Sequence, residues 1–270
     1  MSSPRDRALL DAWDGRAASP RDAATVVLLR DSDDGVETYL LRRQASMAFA
    51  AGMSVFPGGG VQASDYRPVP WLGPDPVAWG ARLACGSGLA AALLVAAVRE
   101  VFEETGVLLA GPDASTVVGP VEGAPDARLA VESQAIGFDA LLAEHGLRLR
   151  ADLLGPWARW ITPEHQPRRF DTRFFVAVLP EGQTVGRLTS EAESGGWVGI
   201  AAALRAAEAG ELTLMTPTRH TLTDLLGRGN AAAIVAAAAD RPLTTVHPRV
   251  VEDDGARQVV APELDGGTRR

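Results

Sequence analysis

Arg99-Glu100-Val101-Phe102-Glu103-Glu104-Thr105-Gly106-Val107 is the stretch around which the chain is organised. Glu100, Glu103 and Glu104 stand at i, i+3 and i+4. At about 100° per residue they share one face of a helix. Ala91, Val95, Val98 and Phe102 fall on the opposite face, which is predicted to pack into a core. Gly106 follows as a C-cap. Three neighbouring carboxylates repel one another, and at a helix C-terminus they also oppose the macrodipole. A hard divalent cation such as Mg²⁺ or Mn²⁺, which takes oxygen ligands, would remove both costs. Alone, the pattern also reads as a solvated acidic helix end.

A second stretch changes that balance. Ser54-Val55-Phe56-Pro57-Gly58-Gly59-Gly60-Val61-Gln62-Ala63-Ser64-Asp65 runs from an apolar strand end into proline and three glycines. Glycine lets a backbone approach a ligand or another chain segment closely. Taken together, the two stretches resemble the Nudix box of the Nudix hydrolases: Gly, five residues, Glu, seven residues, then Arg-Glu-apolar-x-Glu-Glu-x-Gly-apolar. Gly59 fits the first glycine, Asp65 stands where the pattern has Glu, and Arg99–Val107 fits throughout. The spacer is far longer than seven residues, so an insertion spanning Tyr66 to Leu89 splits the box. Ala23–Arg30, Leu40-Leu41-Arg42-Arg43, Gly52-x-x-x-Phe56-Pro57-Gly58-Gly59 and Phe170–Phe175 are similar to the branch with an interrupted box that includes coenzyme A diphosphatases.

The resemblance implies an α/β (α+β) fold, the Nudix α/β/α sandwich with a mixed sheet, and metal-dependent hydrolysis of a nucleoside diphosphate linked to another moiety. Coenzyme A or an acyl-CoA is the first substrate to consider. ADP-ribose, NADH, dinucleoside polyphosphates or a non-catalytic nucleotide-binding role are the alternatives. It implies a catalytic set of Glu100, Glu103, Glu104 and Arg99. Glu103 and Glu104 are then the first metal ligands, Glu100 a ligand or base, and the Gly58 carbonyl an additional ligand, for Mg²⁺ or Mn²⁺. Arg99 is expected to orient the glutamates. Phe56 and the phosphate-clamping candidates Arg42, Arg43, Arg168 and Arg169 form the expected substrate-binding set, because arginine meets phosphate bidentately. Glu191 and Glu193 are candidates for a late carboxylate.

Composition narrows the partners. The 270 residues carry a net charge of −8, and all 26 basic residues are arginine. An acidic balance argues against a nucleic-acid backbone or an anionic membrane as main partner. The expected partner is a small nucleotide-containing molecule, with a homodimer left open. The single cysteine, Cys85, excludes an intrachain disulfide and reads as structural. His145, His165, His220 and His247 lack metal-ligand spacing. No signal-like segment opens the chain and no apolar run reaches the roughly 18 residues of a membrane span, so a cytoplasmic location is expected.

In chain order, residues 1–20 read as an N-terminal extension with a short helix over 4–15. Residues 21–240 read as the Nudix domain with its insertion 66–89, and 241–270 as a C-terminal hairpin extension. Strands are predicted at Ala23–Arg30, Glu37–Arg43, Met53–Phe56, Val107–Ala110, Trp157–Ile161, Asp171–Leu179 and Trp197–Ile200. Met47–Gly52 reads as a loop. Helices are predicted at Leu89–Thr105, Ala201–Ala209, Thr218–Leu226 and Asn230–Ala239, with helical character over Asp126–His145. Pro68, Pro70, Pro74 and Pro76 limit the insertion to a fixed loop with a helical turn near Val77–Leu83, either packed or acting as a substrate wall. Arg249–Val251 and Gln258–Val260 are predicted to pair across Asp253-Asp254-Gly255.

Overall fold

The run Ala23–Leu29 has no polar residue except Thr25, and in the computed structural model it forms a strand whose side chains divide alternately between two cores. Ala24, Val26 and Leu28 face one core and Val27 and Leu29 the other. The same alternation sends Tyr39 and Leu41 one way and Leu40 the other, and separates Phe175 and Ala177 from Phe174 and Val176. A sheet with both faces apolar must be covered on both sides. The structure describes residues 4–45, 50–119, 124–186, 192–253 and 256–265.

The elements follow in chain order. Helix α1 (Pro4–Ala12) precedes the hairpin β1 (Arg21–Ser32) and β2 (Gly35–Arg43); short strands β3 (Ser54–Val55) and β4 (Gly58–Gly60) come next. The segment within the box carries a 3-10 turn at Ala63–Tyr66, strand β5 (Trp71–Leu72) and helix α2 (Pro76–Leu83). Then come α3 (Ser87–Thr105), β6 (Ala110–Gly111), α4 (Ala124–Glu132), α5 (Phe138–Glu144), β7 (Arg148–Arg150), β8 (Gly155–Ile161), β9 (Phe170–Val178) and β10 (Ala192–Gly199). The chain continues through α6 (Ile200–Glu208), α7 (Thr216–Leu225), α8 (Ala231–Ala237), β11 (Thr244–Val246), β12 (Arg249–Asp253), β13 (Ala256–Val260) and α9 (Pro262–Asp265).

The main sheet has the order β10-β2-β1-β9-β8-β11, with β3 added to β2 and β4 to β1. It is mixed: β1–β9 and β11–β8 are parallel, the other pairs antiparallel. Residues of α2, α3 and α5 fill the core on one face, and those of α6, α7 and α8 the core on the other. This is the α/β sandwich expected from the sequence.

Several local readings are corrected. Ala90 and every residue from Ala92 to Glu103 are buried, so α3 is enclosed on all sides instead of showing one apolar face. Its neighbours are β1, β4, α2, α4 and the 3-10 turn. The glycine run expected as a turn is strand β4, paired Thr25↔Gly58, Ala24↔Gly59 and Ala23↔Gly60. A Cβ at Gly58 would lie 2.5 Å from the Ala24 carbonyl, so that edge demands glycine. Helical character over Asp126–His145 resolves into α4 and α5, broken at Gln134, whose φ is +58°, and Gly137. Strand β6 (Ala110–Gly111) shares only Ala110 with the expected Val107–Ala110 strand. It joins β7 and β5 in a separate small sheet. The C-terminal hairpin is present, paired from Arg249↔Val260 to Asp253↔Ala256. Residues 254–255 of its turn, and 47–49 of the expected 47–52 loop, lie outside the described residues. Among the described residues no single helix is long and apolar enough to cross a membrane.

The insertion is a packing element over much of its length. Asp75 caps α2 by accepting the Ala78 N–H at 2.8 Å, and Pro76 opens the helix. Trp79 and Leu83 are fully buried, and the Trp79 ring meets Phe175 edge-on at 6.3 Å. Trp79→Ala is expected to cost about 3–5 kcal/mol of unfolding free energy. Urea denaturation checks this, and a loss below about 1 kcal/mol would mean that α2 rests loosely on the sheet.

Candidate active site

The site grows from the C-terminal half of α3 and the edge strand β4. Gly106 ends α3 in the left-handed conformation, φ +78°, and its N–H returns to the Phe102 carbonyl at 2.8 Å. Arg99, one helical turn before the paired glutamates, is 2% exposed. Its Nε donates to Asp65 Oδ1 at 2.8 Å and its Nη2 to Asp65 Oδ2 at 2.9 Å, a bidentate pair. Nη1 donates to Glu100 Oε1 at 2.8 Å and Glu103 Oε2 at 3.1 Å, and Nη2 also reaches the Gly60 carbonyl at 3.1 Å. One guanidinium therefore ties together the 3-10 turn, β4 and two of the three glutamates.

Glu104 is aimed elsewhere. Its Oε2 accepts the Gly58 N–H at 2.8 Å, and it is more exposed than Glu100 and Glu103. Gly59 packs directly on Glu100: any Cβ there would overlap the carboxylate. Arg128 of α4 braces the far side, its Nε donating to the Glu103 carbonyl at 2.6 Å.

Charge is unbalanced here. Asp65, Glu100 and Glu103 are each 9% exposed or less, and all three bond to the one Arg99. Fully ionised, three carboxylates against one guanidinium leave two surplus negative charges out of contact with bulk water. Burial works against the Arg99 charge, but the Asp65 hydrogen bonds and the surrounding acids outweigh it and hold the guanidinium above its usual pKa. Burial pushes the Glu100 carboxyl up to about 7, opposed by Arg99 and reinforced by Glu103. Burial likewise raises Glu103, again against Arg99.

Among the described residues no three acidic, imidazole or thiol side chains converge on one point as they stand. The physical reason is visible: Arg99 draws Glu100 and Glu103 together, while Glu104 turns to the Gly58 amide. The donor set nevertheless fits a hard divalent ion in chemistry. It offers carboxylate oxygens, a local surplus of negative charge and a glycine wall with no side chain over Glu100.

The other expected residues are dispersed. Phe56 is 3% exposed in the core, edge-on to Phe174 at 6.5 Å, and is a packing residue in this structure. Arg42 is exposed on β2 and pairs with Glu193 of β10 at 3.5 Å. Arg43 is half-buried at the end of β2, and Arg168 is exposed. Arg169 is buried, its donors spent on the Thr162 carbonyl (3.0 Å), the Ala18 carbonyl (2.6 Å) and His247 Nε2 (3.3 Å). It clasps the N-terminal segment to β9 and the C-terminal region. Glu191 lies outside the described residues. The sequence reading gave Arg128 no role, because nothing in a lone arginine announces a bond to a distant helix carbonyl.

With this fold and glutamate cluster in place, the chain belongs to the Nudix hydrolase family: the model of the NUDT19 Nudix domain matches residues 84–225. A crystal structure of a NUDIX hydrolase from Alicyclobacillus acidocaldarius is 31% identical and superposes with a TM-score of 0.66 over 81% of this chain and 96% of that one. Nudix hydrolase 7 of Caenorhabditis elegans is 29% identical over 210 residues, 77% of this chain and 61% of its own. The human acyl-coenzyme A diphosphatase NUDT19 is 33% identical over 189 residues, 55% of this chain and 49% of its own. The chain thus spans about half to three-fifths of the length of these curated relatives.

The Glu100 shift has a definite sign. Its folded pKa stands above the roughly 4.3 of an unfolded glutamate. Between the two values the folded state binds more protons, so this contribution to stability is full below about 4.3 and is lost as pH rises through about 7. The thermal midpoint of metal-free protein is expected to fall from pH 5 to pH 8 more steeply than that of Glu100→Gln. Equal slopes in the two proteins would show that Glu100 does not titrate differently on folding.

Proposed function

We propose that this chain hydrolyses a diphosphate that joins a nucleoside to another moiety, with Mg²⁺ or Mn²⁺ as cofactor, and that coenzyme A or an acyl-CoA, cut at its pyrophosphate, is the preferred substrate. The observation that carries the reading is the buried surplus of negative charge on Arg99, set against a glycine edge strand. Glu100, Glu103 and Glu104 would hold the ion, with the Gly58 carbonyl as an additional ligand. The bound ion supplies Lewis acidity and a water of lowered pKa.

The chain's own residues do the rest. Arg99, fixed by Asp65 and the Gly60 carbonyl, sets the positions of Glu100 and Glu103. Glu104, steadied by the Gly58 N–H, is the most exposed of the three. Glu100, raised by burial in the metal-free chain, would be held ionised by a bound cation and serve as a ligand or as the base near the attacking water. The coenzyme A preference is supported by the likeness to the human acyl-coenzyme A diphosphatase. Arg42, exposed on β2 beside β10, is the member of the arginine set proposed for a 3′-phosphate. We further infer the division into residues 1–20, 21–240 and 241–270.

A product-resolved screen of coenzyme A, acyl-CoA, ADP-ribose, NADH and dinucleoside polyphosphates with each metal tests the reading. Release of adenosine 3′,5′-bisphosphate and phosphopantetheine is expected. Cleavage of ADP-ribose or NADH alone would remove coenzyme A and keep the reaction class, and no cleavage of any of them would favour a nucleotide-binding role. Glu103→Gln and Glu104→Gln are each expected to lower kcat by about 100-fold or more, with an unchanged circular dichroism spectrum. Mg²⁺ or Mn²⁺ should raise the thermal midpoint of the wild type more than that of either variant. Near-normal turnover in both variants would take these residues out of the metal site.

A further inference from the structure

A cleft of about 480 Å³ opens on the same face of the sheet as α3, lined by Arg30, Tyr39, Trp197, Gly195, Gly196 and the 183–186 segment among others. That volume falls within the range of small-molecule sites. The strand register builds it. Trp197 stands directly opposite Tyr39 across β10–β2, and their rings meet edge-on at 5.5 Å. Tyr39 belongs to the core beneath α3, and Trp197 packs against that core. Arg30, opposite Glu37 in the β1–β2 register, donates from Nε to Glu37 Oε2 at 2.7 Å. Thus anchored, its guanidinium lies 4.4 Å from the centre of the Trp197 ring, over its face.

This stack differs from others in the protein. In the Arg82–Trp79 and Arg241–Trp157 stacks the indole is fully buried and serves the core. Trp197 is only half-buried and borders the cleft. Beside it the Gly195-Gly196 backbone has no side chains, which leaves a flat wall. Gln183 is fixed in the opposite wall: its Nε2 donates to the Leu108 and Val118 carbonyls at 2.9 and 2.8 Å, and its Oε1 accepts the Leu108 N–H at 2.8 Å.

The cleft adjoins the glutamate cluster. The Gly186 N–H donates to the Thr105 carbonyl at 2.7 Å, and Thr105 is the residue after Glu104. The Tyr39 phenol is pushed up by burial, and it also feels the charges of Arg128 and Glu104. A molecule with its phosphates at Glu104 therefore has this cleft as its neighbour.

We propose that the cleft holds the nucleobase of the substrate, its planar ring stacking on the Arg30–Trp197 platform against the Gly195-Gly196 wall while the attached phosphates reach the glutamates. The proposal rests on the hydrolase reading for the phosphates, and assigns the nucleoside end, not the other moiety, to this side of the site. Aromatic and guanidinium planes accept any base by stacking, so the cleft explains base binding without a code of hydrogen bonds.

Adenosine and ribose, both uncharged, are the probes, titrated calorimetrically in EDTA so that neither metal nor phosphate contributes. The wild type is expected to bind adenosine and not ribose. Trp197→Ala should weaken adenosine binding roughly 5- to 150-fold, the value of one base–aromatic stack, and Trp197→Phe should restore most of it. Circular dichroism melts identify any variant that fails to fold, and Arg30→Leu, altered at a half-buried side chain at the rim of the cleft, then carries the same test. With a nucleotide diphosphate substrate, Trp197→Ala should raise KM by a similar factor with kcat within a few-fold. Unchanged adenosine affinity in both folded variants overturns the proposal, and so does equal binding of ribose. Adenosine binding through Trp197 without turnover of any nucleotide diphosphate would leave the base site standing and end the hydrolase reading. Turnover with a KM indifferent to Trp197 would do the reverse.

Discussion

Everything at the site leans on the Arg99 guanidinium. It spans Asp65 on the 3-10 turn, the Gly60 carbonyl on the edge strand, and Glu100 and Glu103 on its own helix. Removing the guanidinium would leave three buried carboxylates without their cation, a penalty of about 3–5 kcal/mol. The two halves of the box, separated by the insertion, are thus rejoined by this side chain, together with the Gly58 N–H bond to Glu104. Aspartate in place of glutamate at position 65 works in this geometry because both its oxygens meet the fork of Arg99 directly.

That arrangement has an electrostatic consequence. Arg99 satisfies the carboxylates geometrically yet leaves them in charge surplus, and the raised Glu100 and Glu103 carboxyls are the response to burial. A fold that invests a fully enclosed helix in holding unneutralised acids sacrifices stability for a local field. The glycine edge serves the same end, since Gly58 and Gly59 bring the backbone against Thr25 on one side and the Glu100 carboxylate on the other. The enclosure of α3 also explains why the insertion does not dangle: Trp79 and Leu83 of α2 complete the wall around the helix that bears the chemistry.

Arginine takes all the cationic positions in this lysine-free chain, and the structure uses it in distinct ways. Arg99 and Arg150 are buried forks on carboxylates, Arg169 is a buried clasp on carbonyls, and Arg30, Arg82 and Arg241 lie over indole rings. Planarity and weak hydration suit the guanidinium to all of these. The same versatility makes arginine a poor guide to substrate contacts. Arg169 looked like a phosphate clamp in sequence, and in three dimensions its donors are spent within the fold.

The amino-acid sequence by itself determined the strands β1, β2, β8 and β9, the course of α3, the split box and the closeness of Glu100, Glu103 and Glu104. The split box follows from its resemblance to the Nudix pattern, and the rest from local chemistry: apolar runs that must be buried and a helical spacing that aligns acids. The tertiary structure alone decided that α3 is buried all round, that Gly58–Gly60 is a paired edge and not a turn, and that Phe56 belongs to the core. It also decided that Asp65 meets Arg99 across 34 positions, that Arg128 braces Glu103, and that Tyr39 and Trp197 face each other beside the glutamates. Each of these depends on which distant segment packs alongside, and a side chain's partner across the sheet or core leaves no periodic trace in its own stretch of chain.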